Sequence, residues 1–296
     1  MVTGRIFAVK RFEIHDGDGI RTTLFLQGCS LHCLWCHNPE GLSLTPVLGF
    51  YQEKCINCQI CKQVCPASVH VWENNRHLIK REDCLHCGQC VKICPQSALK
   101  LYGQEIAADE ILPILLEDRM FYGNAGGITL SGGEPLLQKA FCLELLQKIK
   151  KAGIRTAVDT CGMVPKSTLE AIIPWVDQFL FDIKAVDPLV HERLTGRSNE
   201  QILKNLFFLN TAGVRIEVRV PFIPHCNEDE MEKIGLLLKK YPCVEKVKVL
   251  GFHNLARDKY RALDMNYPMG NAAPATNDEI NRTIRLFRKL GLHAVR

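Results

Sequence analysis

The sequence predicts an α/β fold, a partial (β/α)6 barrel interrupted by a small, cysteine-rich α+β insert. Three observations lead there. Short apolar strands alternate with amphipathic stretches of helical period along most of the 296 residues. Where strands carry charge, they carry it on one face. From Phe50 to about Gly103 the alternation stops, and a tandem repeat with a constant offset of 29 residues replaces it.

Strands are expected at residues 22–27, 127–131, 155–160, 178–184, 215–220 and 245–250. Helices are expected at 107–119, 139–152, 166–175, 200–212, 228–240 and 277–290, with Asn277 capping the last and Gly291 stopping it. Six of each suit a partial barrel better than the full eight, although an open doubly wound sheet has the same alternation. Side-chain direction helps to choose. In Arg215-Ile216-Glu217-Val218-Arg219-Val220 one face is apolar and the other charged, and Asp182 and Lys184 share a face of their strand. A closed eight-stranded barrel is filled with apolar layers, so charged inward residues predict a wider cavity for a polar ligand. A salt-bridged barrel floor is the plainer alternative. The division expected is 1–49 with 104–296 for the barrel and 50–103 for the insert, which lacks low-complexity linkers and should pack against the barrel.

At 47% hydrophobic the chain can bury a full core, and it has no apolar run long enough to span a membrane. The first ten residues lack a signal peptide's apolar stretch. Clustered cysteines favour metal ligation in a reducing cytoplasm. The formal charge of +5 comes without a basic stripe interleaved with aromatics, so nucleic acid is not an expected partner.

Eleven of the fifteen cysteines fall into three runs. Cys29, Cys33 and Cys36 offer three thiolates. Cys55, Cys58, Cys61 and Cys65-Pro66 offer four, and so do Cys84, Cys87, Cys90 and Cys94-Pro95. The paired runs have the spacing of bacterial two-cluster ferredoxins, in which the fourth cysteine of each run ligates the other cluster. Cys55, Cys58, Cys61 and Cys94 would then hold one 4Fe–4S cube, and Cys84, Cys87, Cys90 and Cys65 the second. Zinc is the alternative, but it gives no reason for a third and fourth cysteine followed by proline in both halves. Four thiolates close a cube for electron transfer; three leave one iron open. Three clusters are therefore expected, and together they would bring the loaded protein's charge close to neutral.

The three-cysteine run, with Trp35 before its last cysteine, resembles the radical S-adenosylmethionine (SAM) enzymes. Ser131-Gly132-Gly133-Glu134-Pro135 resembles that family's glycine-glycine-glutamate-proline motif. A narrower resemblance, to glycyl-radical enzyme activating enzymes with a two-cluster insert, rests on five further segments. These are His15-Asp16-Gly17-Asp18-Gly19-Ile20-Arg21-Thr22, His37-Asn38-Pro39-Glu40, Asp159-Thr160-Cys161-Gly162, Asp182-Ile183-Lys184 and Gly251-Phe252-His253-Asn254. Position 18 is often proline in relatives and position 161 often Asn or Ser; here they are Asp and Cys.

The resemblance implies an oxidoreductase in which the open iron chelates SAM's amino and carboxylate groups. Reductive cleavage would yield a 5′-deoxyadenosyl radical that takes a hydrogen atom from a backbone glycine in a partner's C-terminal glycine loop. Flavodoxin or ferredoxin would supply the electron. Trp35, Gly132, Gly133, Glu134, Asp159, Asp182, Lys184, Arg219 and His253 would contact SAM. Asp16 and Arg21 would meet the partner. Asp159 and Asp182 end neighbouring strands, so Lys184 or a bound monovalent cation must offset their charge. Two rival readings leave motifs idle. A radical SAM enzyme acting on a small molecule or peptide would not need the His15–Thr22 signature, and a plain electron carrier would not need the three-cysteine site.

Overall fold

The computed structural model describes residues 2–296. The first part of the chain forms β1 (Thr3–Glu13), β2 (Arg21–Leu26), β3 (Val47–Phe50), α1 (Ile60–Gln63), β4 (His70–Glu73), β5 (Arg76–Ile79), α2 (Gln89–Ile93), β6 (Leu99–Tyr102) and β7 (Gln104–Ala107). Then come α3 (Ala108–Leu116), β8 (Gly127–Gly132), α4 (Lys139–Lys151), β9 (Arg155–Thr160), α5 (Lys166–Ile172), β10 (Gln178–Asp182), α6 (Pro188–Thr195) and α7 (Glu200–Thr211). The chain ends with β11 (Ile216–Phe222), α8 (Glu230–Leu238), β12 (Val244–Gly251), α9 (Arg257–Ala262), α10 (Asn277–Lys289) and β13 (Ala294–Val295).

Nine of the strands make one open sheet in the order β13-β12-β11-β10-β9-β8-β2-β1-β7. From β2 to β12 all neighbours are parallel, and these are the six strands the alternation predicts. β1 and β7 add an antiparallel edge beyond β2, which the sequence reading missed. Only two of the eleven residues of β1 are buried, so their pattern does not stand out as a strand.

Helices cover one face of the sheet. Ile216, Val218 and Val220 of β11 pack with Leu206 of α7 and Ile234 of α8 in the main core. Phe141, Cys142, Leu145, Leu146 and Ile149 give α4 its buried stripe. Glu217 and Arg219 face the opposite, concave side, as the one-sided charge pattern predicts. Two helix ends differ from expectation for local reasons. α5 stops at Ile172 because Pro174 cannot continue it, and a 3-10 turn takes over. The cap of α10 is Thr276 rather than Asn277; its hydroxyl and Glu279 form a reciprocal capping box.

In the insert, β3 pairs with β6 and β4 with β5. Moving β3 and β4 forward by the 29-residue offset lands on β5 and β6, so the sequence repeat is also a structural one. Arg81 holds the insert to the body: it donates to the Leu48 carbonyl within the insert and, at 2.8 Å, to the Ala262 carbonyl at the end of α9. Among the described residues no helix is long and apolar enough to cross a membrane.

Candidate active site at the open face of the barrel

A cavity of ≈ 850 Å³ opens at the carboxyl ends of the parallel strands, within the usual range for a small-molecule site. Cys29, Cys33 and Cys36 line it, on the loop that leaves β2. That loop is held by backbone bonds from His32 to Thr195 (2.8 Å) and Leu34 to Leu194 (3.0 Å), both at the end of α6. Trp35 is buried with Leu194, Ile223 and Phe252, forming an apolar wall. Burial pushes the Cys33 thiol up to about 11 and Cys36 up to about 12. A hydrogen bond with Cys161 brings Cys29 down. Three thiols crowded in a desolvated pocket ionise readily only with a cation among them, so the donor set suits an iron–sulfur cluster.

The glycine turn after β8 is clamped to the same loop. Gly133 N–H donates to the Leu26 carbonyl at 2.9 Å and Glu134 N–H to the Gly28 carbonyl at 2.7 Å. Gly132 has φ +116°, and a Cβ on Gly133 would lie 2.3 Å from the Gly28 oxygen. Only glycine allows this approach. Glu134 itself is 0% exposed; its carboxylate accepts from Thr160 Oγ1 (2.8 Å), Cys161 N–H (2.8 Å) and Leu136 N–H (3.1 Å). The cavity therefore meets the backbone of Gly132 and Gly133, while Glu134 ties β8 to β9 from behind.

Further along the wall, Lys184 Nζ pairs with Asp182 at 2.8 Å. Burial opposes the Lys184 charge, but Asp182 together with the Cys33 and Cys161 thiols outweighs it and keeps the ammonium pKa above its ordinary range. Arg219 donates to Asp159 at 3.1 Å, to Asp16 at 3.3 Å and to the His15 carbonyl. Burial pushes Asp159 up to about 7 against the pull of Arg219. At the strand ends Arg219 is thus shared by Asp159 and Asp16, while Lys184 pairs with Asp182. His253 lines the cavity with its ring stacked on His37, centroids 4.0 Å apart.

The Radical SAM superfamily model matches residues 81–238, and a 4Fe-4S dicluster domain matches residues 54–99. The (2S)-3-sulfopropanediol dehydratase activating enzyme of Klebsiella oxytoca is 35% identical, over 99% of this chain and 96% of its own length. The isethionate sulfite-lyase activating enzyme of Desulfovibrio desulfuricans is 37% identical, over 95% and 93%. The chain belongs to the radical SAM activating enzymes of glycyl-radical enzymes. A solved radical SAM methyltransferase from Sphaerobacter thermophilus shares the fold, with TM-score 0.51 and 17% identity over 65% of this chain and 57% of its own.

In this activating enzyme the insert brings its cysteines together crosswise. Cys55, Cys58, Cys61 and Cys94 line one cavity; Cys65, Cys84, Cys87 and Cys90 line another. One expected contact needs correcting. Arg21, read as facing a partner, is 2% exposed and bonds to Thr129 Oγ1 (2.6 Å) and the Ile128 carbonyl (2.8 Å), so it fastens β2 to β8. Asp16 also points inward, to Thr23 Oγ1 at 3.0 Å and to Arg219. Asp18 pairs with Arg215 and Lys246, both at 3.2 Å. The His15–Thr22 segment therefore stitches β2 to β11 and β12 across the open barrel.

Sequence reading missed several contributors. Lys248 lines the cavity and donates to the His15 carbonyl at 3.1 Å; Cys161, a motif residue expected near SAM but given no role, sits against Cys29. Lys259 of α9 binds Glu40 (2.6 Å) and the His37 carbonyl (2.8 Å), fixing the chain after Cys36. α6 carried a signal of its own: an Asp187 cap, Pro188 at the first turn and Gly196 at φ +77° after the end.

Proposed function

We propose that this activating enzyme works with three 4Fe–4S clusters, one held by Cys29, Cys33 and Cys36 and two by the crosswise sets of the insert. The observation that carries the reading is that three thiols, the Gly132–Gly133 backbone and the Asp182–Lys184 pair share one cavity. When bound, the three-cysteine cluster supplies the electron that cleaves SAM to the 5′-deoxyadenosyl radical. The residues of this chain bind, orient and shield. Lys184 would meet SAM's methionyl carboxylate, and the Gly132–Gly133 backbone its ammonium. Arg219 already serves Asp16, Asp159 and the His15 carbonyl, so we assign it to holding Asp159 in position. Arg219 is shared by Asp16 and Asp159, and Lys184 by Asp182 and SAM's carboxylate, so a monovalent cation bound beside Asp159 and Asp182 would balance the charge that remains. Trp35, Ile223 and Phe252 would keep water from the reacting end.

Residues 50–103 would form the auxiliary-cluster module, its small sheet starting slightly earlier at Val47, and 1–49 with 104–296 the barrel. The reductant would be a flavodoxin or ferredoxin of a reducing cytoplasm. The partner's glycine loop has to leave its own core to reach the cavity mouth. A dehydratase activator and a sulfite-lyase activator are about equally similar to this chain, so similarity does not choose the partner. The test is anaerobic incubation with SAM, reductant and candidate glycyl-radical enzymes, followed by electron spin resonance. A glycine-centred doublet with matching 5′-deoxyadenosine is expected. SAM cleavage without any protein radical would instead favour a small-molecule or peptide substrate.

A further inference from the structure

The insert's repeat is broken at one pair of buried positions. His77 Nδ1 lies 3.8 Å from Cys55 Sγ and its Nε2 4.0 Å from Cys61 Sγ. His70 Nδ1 lies 2.9 Å from His77 Nε2. The two rings are 1% and 3% exposed, and each lines a different cluster cavity, His77 the first and His70 the second. Under the 29-residue offset, His77 corresponds to Leu48 and His70 to Leu99, both apolar core residues. Two buried imidazoles thus stand where the other half of the repeat has leucine. Burying polar rings is costly unless they are used.

The tautomers follow from the contacts. If His70 donates through Nδ1, His77 accepts at Nε2 and carries its proton on Nδ1, facing Cys55 Sγ. The reverse arrangement turns a bare nitrogen to a metal-ligating sulfur and leaves an N–H on His70 Nε2, which is buried without a partner. The first arrangement wins. Trp72 fixes the His77 plane by stacking, with centroids 4.2 Å apart and planes 1° from parallel. Cys61, His70 and His77 also bring three ligand atoms within 4.8 Å of one another. A tetrahedral zinc would, however, hold its two nitrogens about 3.3 Å apart, farther than the hydrogen-bonded 2.9 Å.

We propose that His77, oriented by His70, donates a hydrogen bond from Nδ1 to the Cys55 sulfur of the Cys55–Cys58–Cys61–Cys94 cluster and raises that cluster's potential above that of the second insert cluster. This rests on the reading that both four-cysteine sites hold 4Fe–4S clusters. Hydrogen bonds to cluster sulfurs stabilise the added negative charge of the reduced state. Ligand exposure does not distinguish the sites, since Cys55 matches Cys84, Cys58 matches Cys87, Cys61 matches Cys90 and Cys65 matches Cys94. Electrons arriving at the insert would then settle first on the His77 side.

The test is a redox titration of the reconstituted full-length enzyme, followed by electron spin resonance, with iron analysis first. Two separate insert potentials are expected. His77→Leu, whose side chain has a precedent at Leu48, should lower the upper one alone and leave iron content unchanged. His77→Gln, which keeps a donor, should restore part of the gap. Unchanged potentials in His77→Leu overturn the inference. If that variant loses iron, His70→Leu, whose ring has no hydrogen bond to a cysteine sulfur among the described residues, carries the test. A smaller downward shift of the same potential supports the inference, and no shift overturns it. Wild-type protein without insert clusters would defeat the cluster reading itself, and iron analysis reveals this before any potential is measured.

Discussion

The cysteines of the barrel and those of the insert are the same ligand in opposite settings. Cys33 and Cys36 face a cavity of ≈ 850 Å³ that they share with Asp182, Lys184 and the glycine turn. Cys61 and Cys90 face pockets with ≈ 20 Å³ of free space each, walled by residues such as Phe50, Trp72 and Leu48. Burial alone does not separate them, because it pushes Cys61 and Cys90 up to about 11, much as it does Cys33. Ligand number and room make the difference. The barrel site has three cysteines in its run and space for a nucleoside, whereas each insert site has four and is closed to anything of that size.

The comparison breaks most sharply if the barrel ligands are removed. Replacing Cys29, Cys33 and Cys36 together with Ala should remove about four of about twelve irons and abolish SAM cleavage, leaving the insert clusters intact. Retained cleavage would move the reactive site elsewhere. Lys184→Ala sharpens the contrast without touching a ligand. SAM binding should weaken by roughly 1.5–3 kcal/mol, the range for hydrogen bonds to charged groups, with iron content unchanged. Asp182 is partly exposed, so water can take up its freed carboxylate. An unchanged SAM dissociation constant would reduce Lys184 to a structural ion-pair member.

Gly133→Ala should cost about 1–3 kcal/mol of stability by overpacking. The added Cβ would meet the backbone oxygens of Gly28 (2.3 Å) and Gly41 (2.7 Å), and backbone cannot swing aside as a side-chain tip can. Thermal unfolding of the apo and SAM-bound protein measures both the cost and any loss of binding. Unaltered unfolding and binding would show that the turn can relax.

What the sequence made legible was local. Each cysteine run lies within a dozen residues, and strand faces show in alternation within six, so both can be read directly. What it hid depends on distant partners. Arg21 looks like a docking charge until Thr129, 108 positions away, accepts its Nε–H. Glu134 looks like a ligand acceptor until Thr160 and Cys161, 26 and 27 positions on, donate to its carboxylate. β1 was missed because only two of its eleven residues are buried, which leaves no clean period to betray it.

The smallest effect is the most discriminating, because it asks what the closed sites contribute to the open one. Burial that shields a radical also lengthens the path for an incoming electron, and two cubes in the insert could bridge that distance. The Cys29 loop and the Lys184 wall lie outside residues 50–103, so SAM should still bind when the insert is altered. Cys58→Ala with Cys87→Ala should therefore leave SAM affinity unchanged and slow glycyl-radical formation with a flavodoxin or ferredoxin donor. The loss should shrink with a small, strong chemical reductant able to reach the barrel cluster by itself. If metal instead merely staples a fold too small for its own core, the variants would lose partner affinity whichever reductant is used. Arg81 gives that rival a concrete route, since it ties the insert to the Ala262 carbonyl beside α9, and Lys259 of α9 holds the chain that follows Cys36. Activation rates with both reductants, measured together with partner affinity, separate the two, and an equal loss with each reductant would defeat the relay.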